Sequence, residues 1–461
     1  MPTQRSRTSG KGNDPIDRVL SSVTGAADVR HLRERWVTLR VANSTLYQPI
    51  FENREYLSLR VIVDGGRIGT ATTTDLSTEG VAALAKRAEA GARNAVRTQG
   101  FTHLPRPDRV PIPTIRVRRD AAQGDFASKA SELFAAIDRA GEELGKSRVA
   151  GVYNEGFQQL SVGNTEGIRR TSDRSVAQAS LLLEDLSFDP AVSGWAEAAS
   201  WDPRKVDLAK LGEEALSRVP REKVHRVPEG KYDVVLGAPA IAELLNMLSY
   251  GGLGAYSVEE GWSFQGGASR KAVISPKIQL IDDPLSPLGL PEAIDYEGVP
   301  ARSRKVFDRG IATGPSHDTL TAGRAGGRTT ANAVPPEAPY ASFGPLPRHL
   351  SFLPGEGTFE ELVGGIRKGL LVTRLHYVRF VHRKKTIVTG MTRDGTYWVE
   401  NGEIQYPVAN LRMTESILGI LRRTDLTGKA LRCCGDERGF FAPVVPDLRA
   451  RKVAFSSATI F

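Results

Sequence analysis

Lys231-Tyr-Asp-Val-Val-Leu-Gly-Ala-Pro-Ala-Ile-Ala-Glu-Leu-Leu-Asn-Met-Leu-Ser-Tyr-Gly251 is the stretch on which the reading of this chain turns. Val234–Leu236 is a short apolar run that reads as a strand. A turn follows, and Pro239 suits the first turn of a helix, where its missing N–H costs nothing. Strand, turn and helix therefore open the C-terminal half of the chain. Beyond them the sequence is mainly short β patterns, at 272–281, 305–313, 371–381, 386–391 and 396–400. Thr358-Phe-Glu-Glu361 is a capping box that starts a short helix ending near Gly369. Asn401-Gly402 signals a tight hairpin.

Upstream, Leu57, Leu59, Val61 and Val63 alternate with Ser58, Arg60 and Ile62, the period of a half-buried strand. Asp64-Gly65-Gly66 signals the hairpin turn, and Ile68 to Thr74 suits the returning strand. Ser77 caps a helix with Glu79 in its first turn. Val81, Leu84, Ala85, Ala88 and Ala92 lie on one face of it. A proline-rich connector spans 101–113. A second amphipathic helix covers about 126–144, through Phe126, Leu133, Phe134, Ile137 and Leu144. Val149–Tyr153, Phe157–Val162 and Val176–Leu183 read as strands, separated by turns at Asn154-Glu155-Gly156 and 163–167. A charged stretch at 202–230 closes this half.

The expected fold is therefore α+β. An N-terminal antiparallel sheet with two long helices occupies 31–225, and a larger, mostly antiparallel β domain occupies 226–461. Residues 1–30 are assigned to a disordered tail. The 461 residues exceed one small core. No run of 18 apolar residues suggests a membrane helix. The N-terminus lacks the apolar core of a secretory signal, and the adjacent Cys433 and Cys434 make no disulfide framework. The expected location is the cytoplasm.

A net charge of +9 is modest for this length. Its densest basic cluster, Arg379, His382, Arg383, Lys384 and Lys385, reads as a solvated hairpin tip, so no nucleic-acid partner is expected. Gly-Gly-Leu-Gly (251–254) and Gly-Arg-Ala-Gly-Gly-Arg (323–328) lack the spacing of a nucleotide loop. Glu360 and Glu361 are explained by capping, Asp282-Asp283 by a turn, and Glu259 and Glu260 by solvation. His376 and His382 flank Tyr377–Val381. Six residues apart on a strand, they stand about 20 Å from each other and cannot share a metal unless the chain folds back. Ser316, His317 and Asp318 are neighbours in sequence, whereas a triad is made by geometry, and no nucleophile elbow is present. Tyr250, Tyr256, Trp262 and Phe264 either line a peptide groove or pack in a core, with packing the commoner role for aromatics.

The ordered phrases of the chain resemble the TldD/PmbA family, also called TldD/TldE and described as modulators of DNA gyrase. The N-terminal match is 57–93, with Arg60-Val-Ile-Val-Asp-Gly-Gly-Arg-Ile-Gly-Thr-Ala-Thr-Thr-Thr-Asp-Leu-Ser77. The middle match is 264–311, with Ile274-Ser-Pro, Ile281-Asp-Asp-Pro and Asp295-Tyr-Glu-Gly-Val-Pro. The C-terminal match covers 353–373 and 389–408, with Leu353-Pro-Gly-Glu-Gly-Thr358 and Arg393-Asp-Gly-Thr-Tyr-Trp-Val-Glu-Asn-Gly-Glu-Ile404. The resemblance implies a metallopeptidase heterodimer that cleaves peptides and unstructured segments. One subunit carries zinc on His-Glu-x-x-x-His plus a cysteine near its C-terminus. The other, PmbA or TldE, lacks the metal motif.

The family register, anchored by Leu244-Leu245 and Gly252-Leu253, puts the first histidine at Asn246, the glutamate at Met247 and the second histidine at Gly251. Met and Gly offer no side chain for zinc, and Asn is a rare ligand. Cys434, before Gly435, matches the family cysteine, and its structural reading is a small buried residue. The resemblance thus implies a non-catalytic, zinc-less PmbA/TldE-like subunit with no cofactor of its own. It implies a TldD-type catalytic partner that holds zinc and proteolysis that needs both chains. Restoring the three positions is expected to recover weak zinc binding if Cys434 is placed as in catalytic relatives. Two alternatives stay open: a stand-alone enzyme of the same fold using another site, and a homodimeric binding scaffold.

Overall fold

The computed structural model describes residues 14–101, 103–124, 126–267 and 272–458. Helix α1 (Pro15–Ser21) starts on the Asp14 side chain, which accepts from the Ile16 N–H. Six strands then form one wholly antiparallel sheet: β1 (Ala26–Ala42), β2 (Thr45–Val63), β3 (Arg67–Thr73), β4 (Ser147–Asn164), β5 (Arg169–Asp185) and β6 (Val192–Ser200), in the order β3-β2-β1-β4-β5-β6. Helix α2 (Thr78–Asn94), capped by Ser77, lays Val81, Leu84, Ala85 and Ala88 on β1 and β2. Helices α3 (Ala127–Leu144) and α4 (Leu208–Ser217) cover the β4–β6 side through Leu133, Ala136, Leu211 and Ala215. The α+β class, the two long helices and the 64–66 hairpin agree with the sequence.

Two expectations fail in this half. The segment 15–30, assigned to a tail, holds α1 and the start of β1; residues 1–13 lie outside the described residues. The turn expected at Asn154-Glu155-Gly156 is the middle of the unbroken β4. Asn154 is buried and exchanges hydrogen bonds with Thr38 and Gln178. Gly156 lies under the Trp36 ring, whose Cε3 would be 2.3 Å from any Cβ there. Turn-forming residues stay extended because the neighbouring strands satisfy their polar groups.

The C-terminal half opens as expected with β7 (Gly230–Leu236) and α5 (Ala238–Leu248). A second sheet follows from β8 (Leu280–Asp282), β9 (Arg304–Asp308), β10 (Ile311–Ala312) and β11 (Leu350–Phe352). A third contains β12 (Lys368–His382), β13 (Ile387–Glu400), β14 (Glu403–Pro407), β15 (Leu411–Ser416) and β16 (Thr424–Thr427). The pair β17 (Arg432–Cys433) and β18 (Val444–Val445) returns to the second sheet, and β19 (Leu448–Ala458) to the third. The ladder β12-β7-β19-β15-β13 closes on itself, because β12 also pairs with β13. A closed ladder leaves no free edges among its members. Of its pairings only β12–β7 is parallel, as is β11–β18 in the second sheet.

Helix α5 buries Ile241, Leu244, Leu245 and Leu248 in the main C-terminal core with Leu370, Val372, Met413 and Phe455. Strand patterns expected at 386–391 and 396–400 are one strand, β13, and 272–281 is extended only at its end. The capping box at Thr358 and the hairpin at Asn401-Gly402 form as read, but the capped helix stops at Gly364 rather than near Gly369, because Gly369 already pairs with Asp233 of β7.

The halves are joined by buried charge. Arg174 of β5 and Arg348 both ion-pair with the buried Glu292. Arg60 of β2 bridges Asp28 (2.6 Å) and Glu297 (2.8 Å). Ser193 of β6 donates to Asp394 of β13 at 2.6 Å.

Candidate functional site

Position 246 and position 434, far apart in sequence, line one cavity of about 220 Å³ at the seam between the halves. One wall is α5, through Pro239, Ala242, Glu243 and Asn246. Those four recur at the spacing of a single helical face. Arg374, Leu375, His376 and Tyr377 of β12 form the facing wall. Trp195 and Glu197 of β6 close it from the N-terminal sheet, and Cys434, Gly435 and Asp436 from the segment after β17. The cavity therefore needs both halves of the chain.

Its electrostatics are set by burial. The Glu197 carboxyl sits beside the Cys434 thiol and is pushed up to about 7 by loss of solvent, with the nearby Glu243 adding to the rise. Its Oε1 is shielded from solvent and accepts no hydrogen bond among the described residues. Burial likewise raises Glu243, whose carboxyl makes no hydrogen bond or ion pair among the described residues. Cys434 is held well above its ordinary range by burial and by Glu197, so it is a neutral thiol. Burial pushes Asp436 up to about 7, against the backbone N–H groups of Phe441 and Phe440. His376, at the mouth, is lowered by burial and by Arg393 and Arg374, so the imidazole is neutral at pH 7. Arg374 is engaged elsewhere: it pairs with Asp394 at 2.6 Å and lies 4.4 Å over the Trp195 ring.

The residues present do not fit zinc. Among the described residues no three His, Cys, Asp or Glu groups stand where they could hold a metal ion. Met247 is turned away from the cavity and packs against the C-terminal core. Gly251 lies in a π-helical turn, Ser249–Leu253, that follows α5. Positions five apart fall about 140° from each other on an α-helix, and a wider turn brings them back toward one face. The helix keeps that wide turn, but Phe380 of β12 closes it. A Cβ on Gly251 would lie 2.2 Å from the Phe380 Cζ. A neutral thiol completes the mismatch, since thiolate is the metal-binding form.

The remaining expected residues lie elsewhere. Tyr250 packs on Phe441 (4.7 Å between centroids), Phe343 and Tyr340. Tyr256 meets Trp262 edge-on, and Phe264 stacks on the buried Phe307. None of these four lines the cavity. His382 is at the far end of β12 from the cavity. Ser316 bonds Arg304, His317 faces Thr321, and Asp318 caps a short helix, so these three neighbours form no triad. Glu197 and Glu243 were not singled out from the sequence. Glu243 was within reach, one turn before Asn246 on the same helix; Glu197 carried no local signal.

Residues 27–92 match the family described as PmbA/TldA metallopeptidase domain 1, and 229–457 match the PmbA/TldA metallopeptidase C-terminal domain, together well over half of the chain. A comparison with curated proteins finds no match. Among solved structures, TldE from Thermococcus kodakarensis superposes with a TM-score of 0.85 at 19% identity, covering 96% of this chain and 99% of that one. A protein from Thermotoga maritima described as a modulator of a DNA gyrase gives 0.81 at 21% identity, covering 94% and 96%. One from Bacteroides thetaiotaomicron, described likewise, gives 0.78 at 20%, covering 96% and 97%. At these identities the likeness is one of fold. With the domain matches in the same order along the chain, this protein belongs to the PmbA/TldD family.

Proposed function

We propose that this chain is the zinc-less, non-catalytic subunit of a TldD/TldE-type heterodimer that degrades or processes peptides. The observation that carries the reading is the pair Gly251 and Phe380. The position that would bear a zinc ligand has no side chain, and an aromatic ring fills the space beside it. With Asn246 and Met247 at the other two positions, the described residues offer no ligand set that could hold a zinc to activate a water. Its part in proteolysis is then to shape the substrate path and support a partner that holds zinc. An obligate interface of that kind buries on the order of 2,000 Å² or more.

The test is co-expression with a family member that carries His-Glu-x-x-x-His, with a tag on this chain alone. The expected result is co-elution at equal stoichiometry, with cleavage of an unfolded peptide only in the two-chain sample. Failure to co-elute at low salt, or equal cleavage by this chain alone, overturns the reading in favour of a homodimeric scaffold or a stand-alone enzyme.

A further inference from the structure

We propose that the cavity between α5 and β12 binds a primary ammonium group, supplied by a lysine side chain or by the amino terminus of a peptide. The inference draws on the reading above only for a peptide as the source of the ammonium, and it concerns this chain by itself. Three side chains line the cavity with acceptor capacity to spare, although the Glu197 carboxyl already takes the Cys434 thiol. The Glu197 Oε1 is buried and unbonded. Glu243 and Asn246, one helical turn apart on α5, line the same space, and among the described residues neither side chain makes a hydrogen bond. An ammonium carries three N–H donors and no acceptor, which matches this set. A buried carboxylate oxygen with no donor is costly, and a ligand that supplies one removes the cost.

The surrounding groups favour a cation. Arg374 is neutralised by Asp394 and covered by Trp195. Arg379 donates to the Val378 carbonyl and lies over the Tyr377 ring. Cys434 is a neutral thiol and His376 a neutral imidazole. Glu197 and Glu243 are thus left as carboxyls without an ion-pair partner in the cavity. Pro239, Ala242, Leu375 and Trp195 supply apolar surface for the methylene stem of a lysine, which buries its carbons while its charge is satisfied. Ammonium capture needs no metal and would let a zinc-less chain hold a peptide in register.

The experiment uses the purified full chain and three small probes followed by saturation-transfer NMR. N-acetyl-lysine methylamide offers the side-chain ammonium alone. Trialanine amide offers the terminal ammonium alone. N-acetyl-norleucine methylamide has a comparable apolar stem and no charge. The expected result is saturable binding of one or both ammonium probes and none of the norleucine probe; the tighter of the first two names the source. Glu243→Gln and Glu197→Gln are each expected to weaken that binding about tenfold to a hundredfold. Glu243 is only partly buried, so Glu243→Gln keeps the test valid if Glu197→Gln fails to fold. Equal binding of the norleucine probe, absence of binding by both ammonium probes, or unchanged affinity in a folded Glu243→Gln overturns the proposal. None of these results depends on a second subunit, so they leave the heterodimer reading to its own test.

Discussion

The ring of Phe380 stands directly against Gly251: a Cβ on that glycine would lie 2.2 Å from Cζ and 2.6 Å from Cε2. Contacts that short force a side chain or the backbone to move. The space beside position 251 is therefore filled by the C-terminal core, so more than a side chain would have to change to place a ligand there.

That repacking predicts the fate of attempts to rebuild the motif. Asn246→His, Met247→Glu and Gly251→His together are expected to give no tight zinc binding, contrary to what the sequence alone suggests, because Phe380 takes the space of the third. Gly251→His alone is expected to cost about 1–3 kcal/mol through overpacking. Adding Phe380→Ala should return part of that loss, with a coupling of order 1 kcal/mol between the two positions. Urea denaturation of the two single variants and the double variant measures it. Strictly additive effects would show that the ring does not block the site.

Glu197 predicts a pH dependence. Its folded pKa, about 7, is raised above the ordinary 4.5 by burial. A carboxyl raised on folding stabilises relative to its charged form at low pH. Its contribution is full below about 4.5 and is lost as pH rises through about 7. Glu197→Gln removes this liability. The variant should therefore gain on wild type between pH 5 and pH 8, by at most about 3 kcal/mol. Thermal melts at the two pH values decide it. A difference that is flat with pH would mean that Glu197 is ionised and satisfied in the folded chain.

Glu292 behaves in the opposite sense. Although burial opposes its ionisation, Arg348 and Arg174 hold its carboxyl well below the usual range. Stability from a depressed carboxylate is present above the unfolded pKa and is lost as pH falls through the folded one. Glu292→Gln leaves two guanidinium groups buried together and should cost about 3–5 kcal/mol at pH 7. The penalty should shrink as wild type is acidified below about pH 4.5. Because Arg174 comes from β5 and Glu292 from the other half, the variant is also expected to open the seam. Hydrogen exchange along β5 reports that.

Much of the fold was legible in the sequence because local signals agree with it. Ser77, Thr358 and the 64–66 turn are caps and turns whose chemistry is complete within a few residues. The failures came where distant partners decide. Asn154 and Gly156 read as a turn until Gln178, Thr38 and Trp36 are placed beside them. The start of β1 carries Asp28 and Arg30, which fall in the segment assigned to a tail and are buried against each other and Arg60. In the cavity, Asn246 and Cys434 were found by resemblance, and the structure brings them together. Glu197 joins them from a strand about 40 residues before α5, a distance that no local pattern spans. Phe380 was equally invisible, since a blocked ligand position is a fact of packing.

Zinc content tests the central claim most directly. The chain is expressed alone and together with a His-Glu-x-x-x-His family partner in zinc-replete medium, purified, and assayed by elemental analysis. The account predicts less than about a tenth of a zinc per chain for this protein alone and about one zinc per two-chain complex, since a zinc site needs an intact ligand set. About one tightly held zinc in this chain by itself would contradict it.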